Sequence, residues 1–485
     1  MSHLRKVLFA FCGAFLLLLT ILLVRAAFVE DPLEVVEAPD VEISFAGTEG
    51  RLSEAIQLPT ISLTEQGADR QAFLGFQQLL EEHFPVVHDE ATRELVNELT
   101  LHFEIAGEDP DRPHVVLLAH YDVVPATEAA DWTYPPFSGT IADGFIWGRG
   151  TLDNKQNVMA ILEAAEDFLR SGNRPAHTLH LVFGHDEEIG GYEGARKVAE
   201  TLARRGVEVV AVYDEGLIIS EDLVPGVQGP VALVGITERG IANFEIEARA
   251  PGGHASMPPQ DLAVIRLSKA LQNLHENPMK ASLEGPTSEM IRYALPEMNF
   301  GYRLLFRNRW LFEPVIVSQM AASPSTNAVI RTTAAPTMLE ASPRHNILPQ
   351  SARATLNFRI HPRDSIASVQ EYLEELFADQ DYITVRLSGE IQTEPSPIAS
   401  LDGPGFKALQ RALEAVYPEA RIAPNMLVAF SDSRHFTDLT HDIYRFQPIL
   451  LAGADLQRIH GNDERISINS YHRLILYYRA LLSLW

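Results

Sequence analysis

The sequence predicts an α/β protein: a mostly parallel sheet flanked by helices, interrupted by an inserted α+β domain and preceded by one apolar helix. Three observations carry that expectation. Short, nearly continuous apolar runs alternate with helical patterns. A central stretch switches to strict two-residue alternation, as a sheet with one solvated face does. The first 28 residues hold a long uncharged apolar segment. At 485 residues the chain exceeds one ordinary core, so more than one domain is expected.

In chain order, residues 1–28 read as a transmembrane anchor or signal segment. Val7 to Val24 is apolar or small throughout, with Arg5 and Lys6 before it and Arg25 after it. Eighteen residues just span a hydrocarbon core of about 30 Å. The basic residues precede the run, while Glu30, Asp31, Glu34 and Glu37 follow it. The positive-inside rule therefore leaves the N-terminus cytoplasmic and the body extracytoplasmic. Cleavage near Val24-Arg25-Ala26 would instead give a secreted protein. An uncleaved single-pass anchor is preferred, because the run is long for a signal core.

Residues 29–50 are acidic and Pro-containing and read as a linker. A helical pattern covers Leu52 to Glu82. Buried strands are expected at 114–119, 179–183 and 207–213, with a helix from Asn157 to Arg170 between the first two. These make 51–236 the first part of the main domain. The alternating runs 242–250 and 352–360, with a helical stretch from Ser365 to Ala378, define an insert over 237–385. Within it, Leu283 to Met320 is rich in large apolar residues and reads as a helical insertion packing on its own domain, the alternative being a lid. Residues 386–485 return to the α/β pattern.

Composition narrows the function. Lys and Arg total 39 against 65 Asp and Glu, a formal charge of −26, which argues against nucleic acid. The single cysteine, Cys12, lies in the apolar run, so the folded body has no disulfide, Cys-rich zinc site or Cys nucleophile. No G-x-S-x-G elbow, HExxH motif or three-glycine dinucleotide loop is present.

Five polar clusters remain, most of them just past strand-like runs, where open α/β sheets place their sites. They are 120–122 (His-Tyr-Asp), 148–155, 184–188, 213–216 and 459–461. Singly, each reads as well as a structural histidine or solvated loop acids. Together they set two histidines among several carboxylates, and closely spaced carboxylates must protonate or share a cation. A pair of zinc ions about 3.5–4 Å apart, bridged by a carboxylate, solves that problem, and Mn²⁺ or Co²⁺ would accept the same donors.

The stretches His120–Pro125, Trp147–Lys155, Phe183–Gly191 and Ile459–Arg465 resemble the two-zinc aminoacylases, carnosinases and glutamate carboxypeptidases. The likeness is greatest to the Gly-X carboxypeptidase (carboxypeptidase S) and N-fatty-acyl-amino-acid hydrolase branch. The resemblance spans the chain after the linker. It implies a zinc-exopeptidase catalytic domain with an inserted lid or dimerisation domain, and an activity: hydrolysis of an amide bond beside a free amino-acid carboxylate. The substrate would be a small peptide or an N-acyl amino acid, and a homodimer is compatible.

By position, Asp153 would bridge the metals, His120 and Asp214 complete one site, and Glu188 and His460 the other. Glu187 would be the general base and Asp122 would orient His120. Gly148 and Gly150 would let their loop approach the metals. Arg359 and Asn327 would grip the substrate carboxylate, and His254 would polarise the scissile carbonyl of a partner's site. Arg434 and His435 would line the pocket. The segment after Asp214 (Glu-Gly-Leu) and the turn 429–432 depart from the family pattern, which bears on the pocket's shape rather than on the ligands. A catalytically inactive relative kept as a binding or scaffold module is the alternative, as is net condensation by the same site. A lipophilic acyl group fits the apolar 283–320 stretch.

Overall fold

The computed structural model describes residues 2–62, 69–126 and 129–485, so part of the expected helical stretch 52–82 lies outside them. Twelve strands build its two main sheets. In chain order they are β1 (Thr92–Val96), β2 (Thr100–Ile105), β3 (His114–His120), β4 (Leu179–Gly184), β5 (Val209–Ser220), β6 (Val231–Glu238), β7 (Gly240–Arg249), β8 (Thr333–Glu340), β9 (Ser351–Ile360), β10 (Ile383–Thr393), β11 (Arg421–Leu427) and β12 (Ile443–Leu450).

The chain divides into two compact units. The first comprises 1–236, 289–307 and 398–485 and holds an eight-stranded sheet in the order β1-β2-β4-β3-β5-β12-β6-β11. Its centre is parallel: β3 pairs with β4 and β5, and β5 with β12. The flanks are not, since β1–β2, β2–β4 and β12–β6 are antiparallel. The sheet is therefore mixed rather than mostly parallel. Of these pairs, β1–β2 is a hairpin closed by the 97–99 turn, where Asn97 and Glu98 take positive φ, and the other two join strands distant in sequence. Helices Lys155–Arg170, Pro404–Val416 and Ile468–Leu482 cover the sheet with almost wholly buried inner faces.

The second unit comprises 237–288 and 308–397. Its four-stranded antiparallel sheet runs β8-β9-β7-β10. Alternate residues Ala352, Ala354, Leu356, Phe358 and Ile360 face helices Ala263–Glu276 and Ile366–Leu376, which is the source of the two-residue periodicity.

Two expectations change. Residues 289–307, expected to pack on their own inserted domain, belong to the first unit. Ala294, Leu295 and Met298 close a small core with Val224, Val231, Leu233 and Ala423. Residues 29–50 are no free linker. Leu33, Val41, Ile43 and Phe45 pack on the main core, Asp31 pairs with Arg421 at 2.6 Å, and Phe45 stacks on His472 at 4.3 Å. Acidic composition suggests a solvated tether, but every few residues an apolar side chain finds the core.

The N-terminal helix Ser2–Ala27 is long and apolar enough to cross a membrane. Most of it is exposed, while Leu22 and Ala26 in its last turns are buried.

Candidate metal centre

The central parallel strands deliver the polar clusters at their C-terminal ends. His120 is the last residue of β3, and the 185–188 turn leaves β4 directly. Asp153 comes from the Gly148–Asn154 loop, which precedes helix Lys155–Arg170. One carboxylate organises that loop. Glu464 Oε1 accepts the N–H groups of Gly150 at 2.9 Å, Leu152 at 2.8 Å and Asp153 at 3.3 Å, while Oε2 pairs with Arg149. Burial, opposed by Arg149, pushes Glu464 up to about 7. Gly148 and Gly150 adopt φ of 144° and 95°. A Cβ on Gly148 would sit 2.4 Å from Ile56, and one on Gly150 would lie 3.1 Å from Lys155 and Val123. Loop packing and backbone conformation thus require these glycines.

Two donor groups share Asp153. Its Oδ1 lies 3.0 Å from His120 Nε2 and its Oδ2 lies 2.9 Å from His460 Nε2. Glu215 Oε1 completes the first group, 3.1 Å from His120 Nε2, and Glu188 Oε2 the second, 3.2 Å from His460 Nε2. The ligand-type atoms of each group lie within 4.8 Å of one another. Glu187 reaches toward the same place, with Oε2 4.0 Å from His120 Nε2. Asp122, fully buried, holds the arrangement from beneath. It accepts Ser62 Oγ at 2.7 Å and the backbone N–H groups of Glu187 and Glu188 at 3.1 Å, and its Oδ1 lies 3.2 Å from His120 Nδ1.

The structure sets Glu215, not Asp214, beside His120. Asp214 points away and accepts the N–H groups of Ser433 at 2.8 Å and of Glu215 at 2.9 Å. The local cause is a bulge. Arg445 pairs with Asp214 but its neighbour Phe446 pairs with Leu217, so residues 215–216 are extra in β5. A bulge re-aims a side chain, often beside an active site. Gly216, at φ 154°, lies where a Cβ would meet Arg445 at 2.8 Å.

Electrostatically the site is a crowd of acids. Burial pushes Glu187 well above the usual carboxylate range, with Glu215, Asp432 and Glu188 adding to the shift. Burial likewise raises Glu188 and lifts Glu215 to about 7. Burial opposes charge on His120, but Glu215, Asp122 and Asp153 outweigh it and hold the imidazole well above its ordinary value. Bonds to Asp153 and Glu188 push His460 up to about 10. Glu188 Oε1 is buried with no hydrogen-bond partner among the described residues. His and carboxylate donors in two groups sharing one aspartate, with an orphaned carboxylate oxygen among them, fit a pair of divalent cations.

The remaining expected residues make contacts of their own. Arg434 Nη2 and His435 Nε2 contact the carbonyl of Gly190 at 2.7 and 2.9 Å, bracing the turn after Glu188. In the second unit, His254 is exposed, with Nδ1 2.7 Å from Ser256 Oγ. Arg359 Nε donates to Asn357 Oδ1 at 3.2 Å, and Asn327 lines a cavity of about 400 Å³ with Arg331 and Phe358. Asp432, flagged in the sequence only as part of a turn, is a buried carboxylate seated against Gly184 and Gly191. A Cβ there would lie 2.5 and 1.9 Å from its oxygens.

The model of peptidase family M20/M25/M40 matches residues 116–484, which takes in the whole site. The chain belongs to that family. Among curated relatives of this M20 chain, the N-fatty-acyl-amino acid synthase/hydrolase PM20D1.1 of Danio rerio is 38% identical over 433 residues, 88% of this chain and 84% of the relative. The probable carboxypeptidase S-like 2 of Dictyostelium discoideum is 37% identical over 437 residues, 89% of this chain and 84% of the relative. The M20 family metallo-carboxypeptidase Sso-CP2 from Sulfolobus solfataricus shares the fold, with a TM-score of 0.62 at 19% identity over 90% of this chain and 98% of that one. This M20 protein is accordingly a hydrolase of a metal-dependent family.

Proposed function

We propose that this M20 hydrolase uses two divalent cations, zinc by preference with manganese or cobalt as substitutes, to cleave an amide bond next to a free amino-acid carboxylate. The observation that carries the reading is Asp153, whose two oxygens face two separate donor groups. His120 and Glu215 would hold one ion with it, and Glu188 and His460 the other. Bound there, the ions would polarise the scissile carbonyl and offset the charge that develops on its oxygen.

Glu187 is the general base. Its carboxylate reaches the donor groups without belonging to either, and Asp122 fixes its backbone N–H. In an environment that favours the protonated acid, it accepts a proton from the attacking water and returns it to the leaving nitrogen. Asp122 sets the tautomer and orientation of His120 through Nδ1. The second unit acts as a lid or dimerisation domain, with Arg359 and Asn327 for the substrate carboxylate and His254 for the scissile carbonyl. Its edge strand β8 is exposed along its length, as a strand awaiting a second copy would be. The name of one relative supports an N-fatty-acyl amino acid as substrate and that of the other a peptide; the apolar 283–320 stretch favours the lipophilic acyl group, and synthesis or hydrolysis follows the concentrations. The N-terminal helix serves as an uncleaved anchor with the body outside the cytoplasm. A scaffold role has no support in the site, where no donor is missing.

Replacing Glu187 by Gln should lower turnover by roughly 10²–10⁴-fold with bound metal unchanged. Wild-type turnover in that variant would remove the role. Hydrolysis of a long-chain N-acyl amino acid should exceed that of a Gly-X dipeptide, and equal or greater dipeptide cleavage would reassign the acyl preference.

A further inference from the structure

Of the five donor side chains, that of His460 is held least by its surroundings. It is 51% exposed, against at most 16% for the other four. Its backbone takes φ 60°, a left-handed conformation that costs any residue with a side chain. Neither packing nor local preference accounts for where its imidazole sits.

The residues after it do. Glu464, four residues on and fully buried, sends one carboxylate oxygen to three N–H groups of the Gly148–Asn154 loop, that of Asp153 among them, and the other to Arg149. Arg149 returns the tie, its Nη2 donating to the carbonyl of Gly461, next to His460, at 3.1 Å. The N–H of Gly148 donates to the Glu464 carbonyl at 2.9 Å, and the short strands Phe145–Trp147 and Arg465–Ser467 pair directly alongside. One buried ion pair thus joins the segment that carries Asp153 to the segment that carries His460. The far end of the loop has a hold of its own, because Lys155 donates to the Ala55 carbonyl at 3.0 Å. His120 and Glu215 stand on strands of the large sheet and take no part in these bonds.

We propose that Glu464 is a positioning residue for the second donor group, Asp153, Glu188 and His460. Through the loop and Arg149 it fixes the spacing between Asp153 and His460, whereas the group at His120 and Glu215 depends on it little. The inference rests on the two-cation reading of the site. Residues that orient ligands without touching the ion commonly change its affinity by roughly 10–100-fold.

Zinc affinity of the full chain is measured by competition with a chelating dye, and His460→Ala shows which of the two dissociation constants belongs to the second group. Glu464→Gln keeps the shape of the side chain but removes the charge that Arg149 pairs with. It should weaken the second ion by roughly 10–100-fold and leave the first within a few-fold, with turnover returning at saturating zinc and KM unchanged. A loss of stability alone would weaken both ions alike. Arg149→Lys keeps the buried charges paired and the loop bonds of Glu464, but loses the fork that also reaches Gly461. It should weaken the same ion to a smaller degree, and it decides the matter if Glu464→Gln does not fold. Unchanged affinity for the second ion in both variants, or equal weakening of both ions, overturns the positioning role and leaves the two-cation reading standing. A wild-type chain that binds a single zinc overturns that reading, and the proposal with it.

Discussion

Asp214 and Glu215 are consecutive on a strand, where alternation sends neighbouring side chains to opposite faces. A motif read along the sequence cannot tell which face the site occupies, and the bulge at 215–216 shifts that parity. Replacing Glu215 by Gln should reduce bound metal from two ions towards one per chain. Replacing Asp214 by Asn should keep both ions but cost about 1–3 kcal/mol of stability, because an amide N–H would then face the N–H of Ser433 or Glu215. Elemental analysis after gel filtration, with urea unfolding of each variant, distinguishes them; metal loss in Asp214→Asn with retention in Glu215→Gln would restore Asp214 as the ligand. The other donors are legible because their positions need no parity. His120 ends an apolar run, and Glu187 and Glu188 sit in the turn leaving the next strand. Glu464 and Ser62 are not legible, since nothing near them in sequence reveals that one gathers three N–H groups of a loop some 310 residues earlier in the chain and the other caps Asp122.

Three histidines on neighbouring strands show the same limit at the scale of an element. His180 on β4 lies between β2 and β3, its Nδ1 2.9 Å from His102 Nε2 and its Nε2 2.8 Å from His114 Nδ1. Only the strand order, which the sequence does not display, brings them together. Burial lowers all three below the usual 6.5, His102 to about 4, with Glu94 partly opposing there. The folded state therefore binds fewer protons than the unfolded chain below pH 6.5. Stability from this row is intact above pH 6.5 and is lost as pH falls toward 4, by roughly 3 kcal/mol for His102 alone. In chelator, to remove the metal centre's own acid sensitivity, urea midpoints should drop steeply across that window. The drop should be shallower in His180→Gln, and parallel profiles would mean that other groups carry the acid response.

At the scale of the whole molecule, the sequence shows where function lies more clearly than how the chain is partitioned. The α/β core, its flanking helices and the alternating strands of the second unit are read from periodicity, because each reports burial along one element. The antiparallel flanks of the large sheet and the return of 289–307 to the first unit depend on contacts between distant segments, which periodicity does not encode. The 29–50 segment makes the point testable. Its acidic composition suggests a tether, yet Leu33, Val41, Ile43 and Phe45 lie on the main core and Asp31 pairs with Arg421, which is itself only 11% exposed. Partial burial of four apolar side chains, each stabilising by about 0.5–1.5 kcal/mol, together with one half-exposed ion pair of at most about 1 kcal/mol, makes this stretch part of the fold. A chain begun at Val29, which lacks the N-terminal helix with its buried Leu22 and Ala26 but keeps this segment, is the reference for the test. One begun at Gly47 should unfold several degrees lower and bind a hydrophobic dye more strongly through the uncovered core. Equal midpoints for the two would return the segment to the role of a passive tether and leave its contacts with the core energetically neutral.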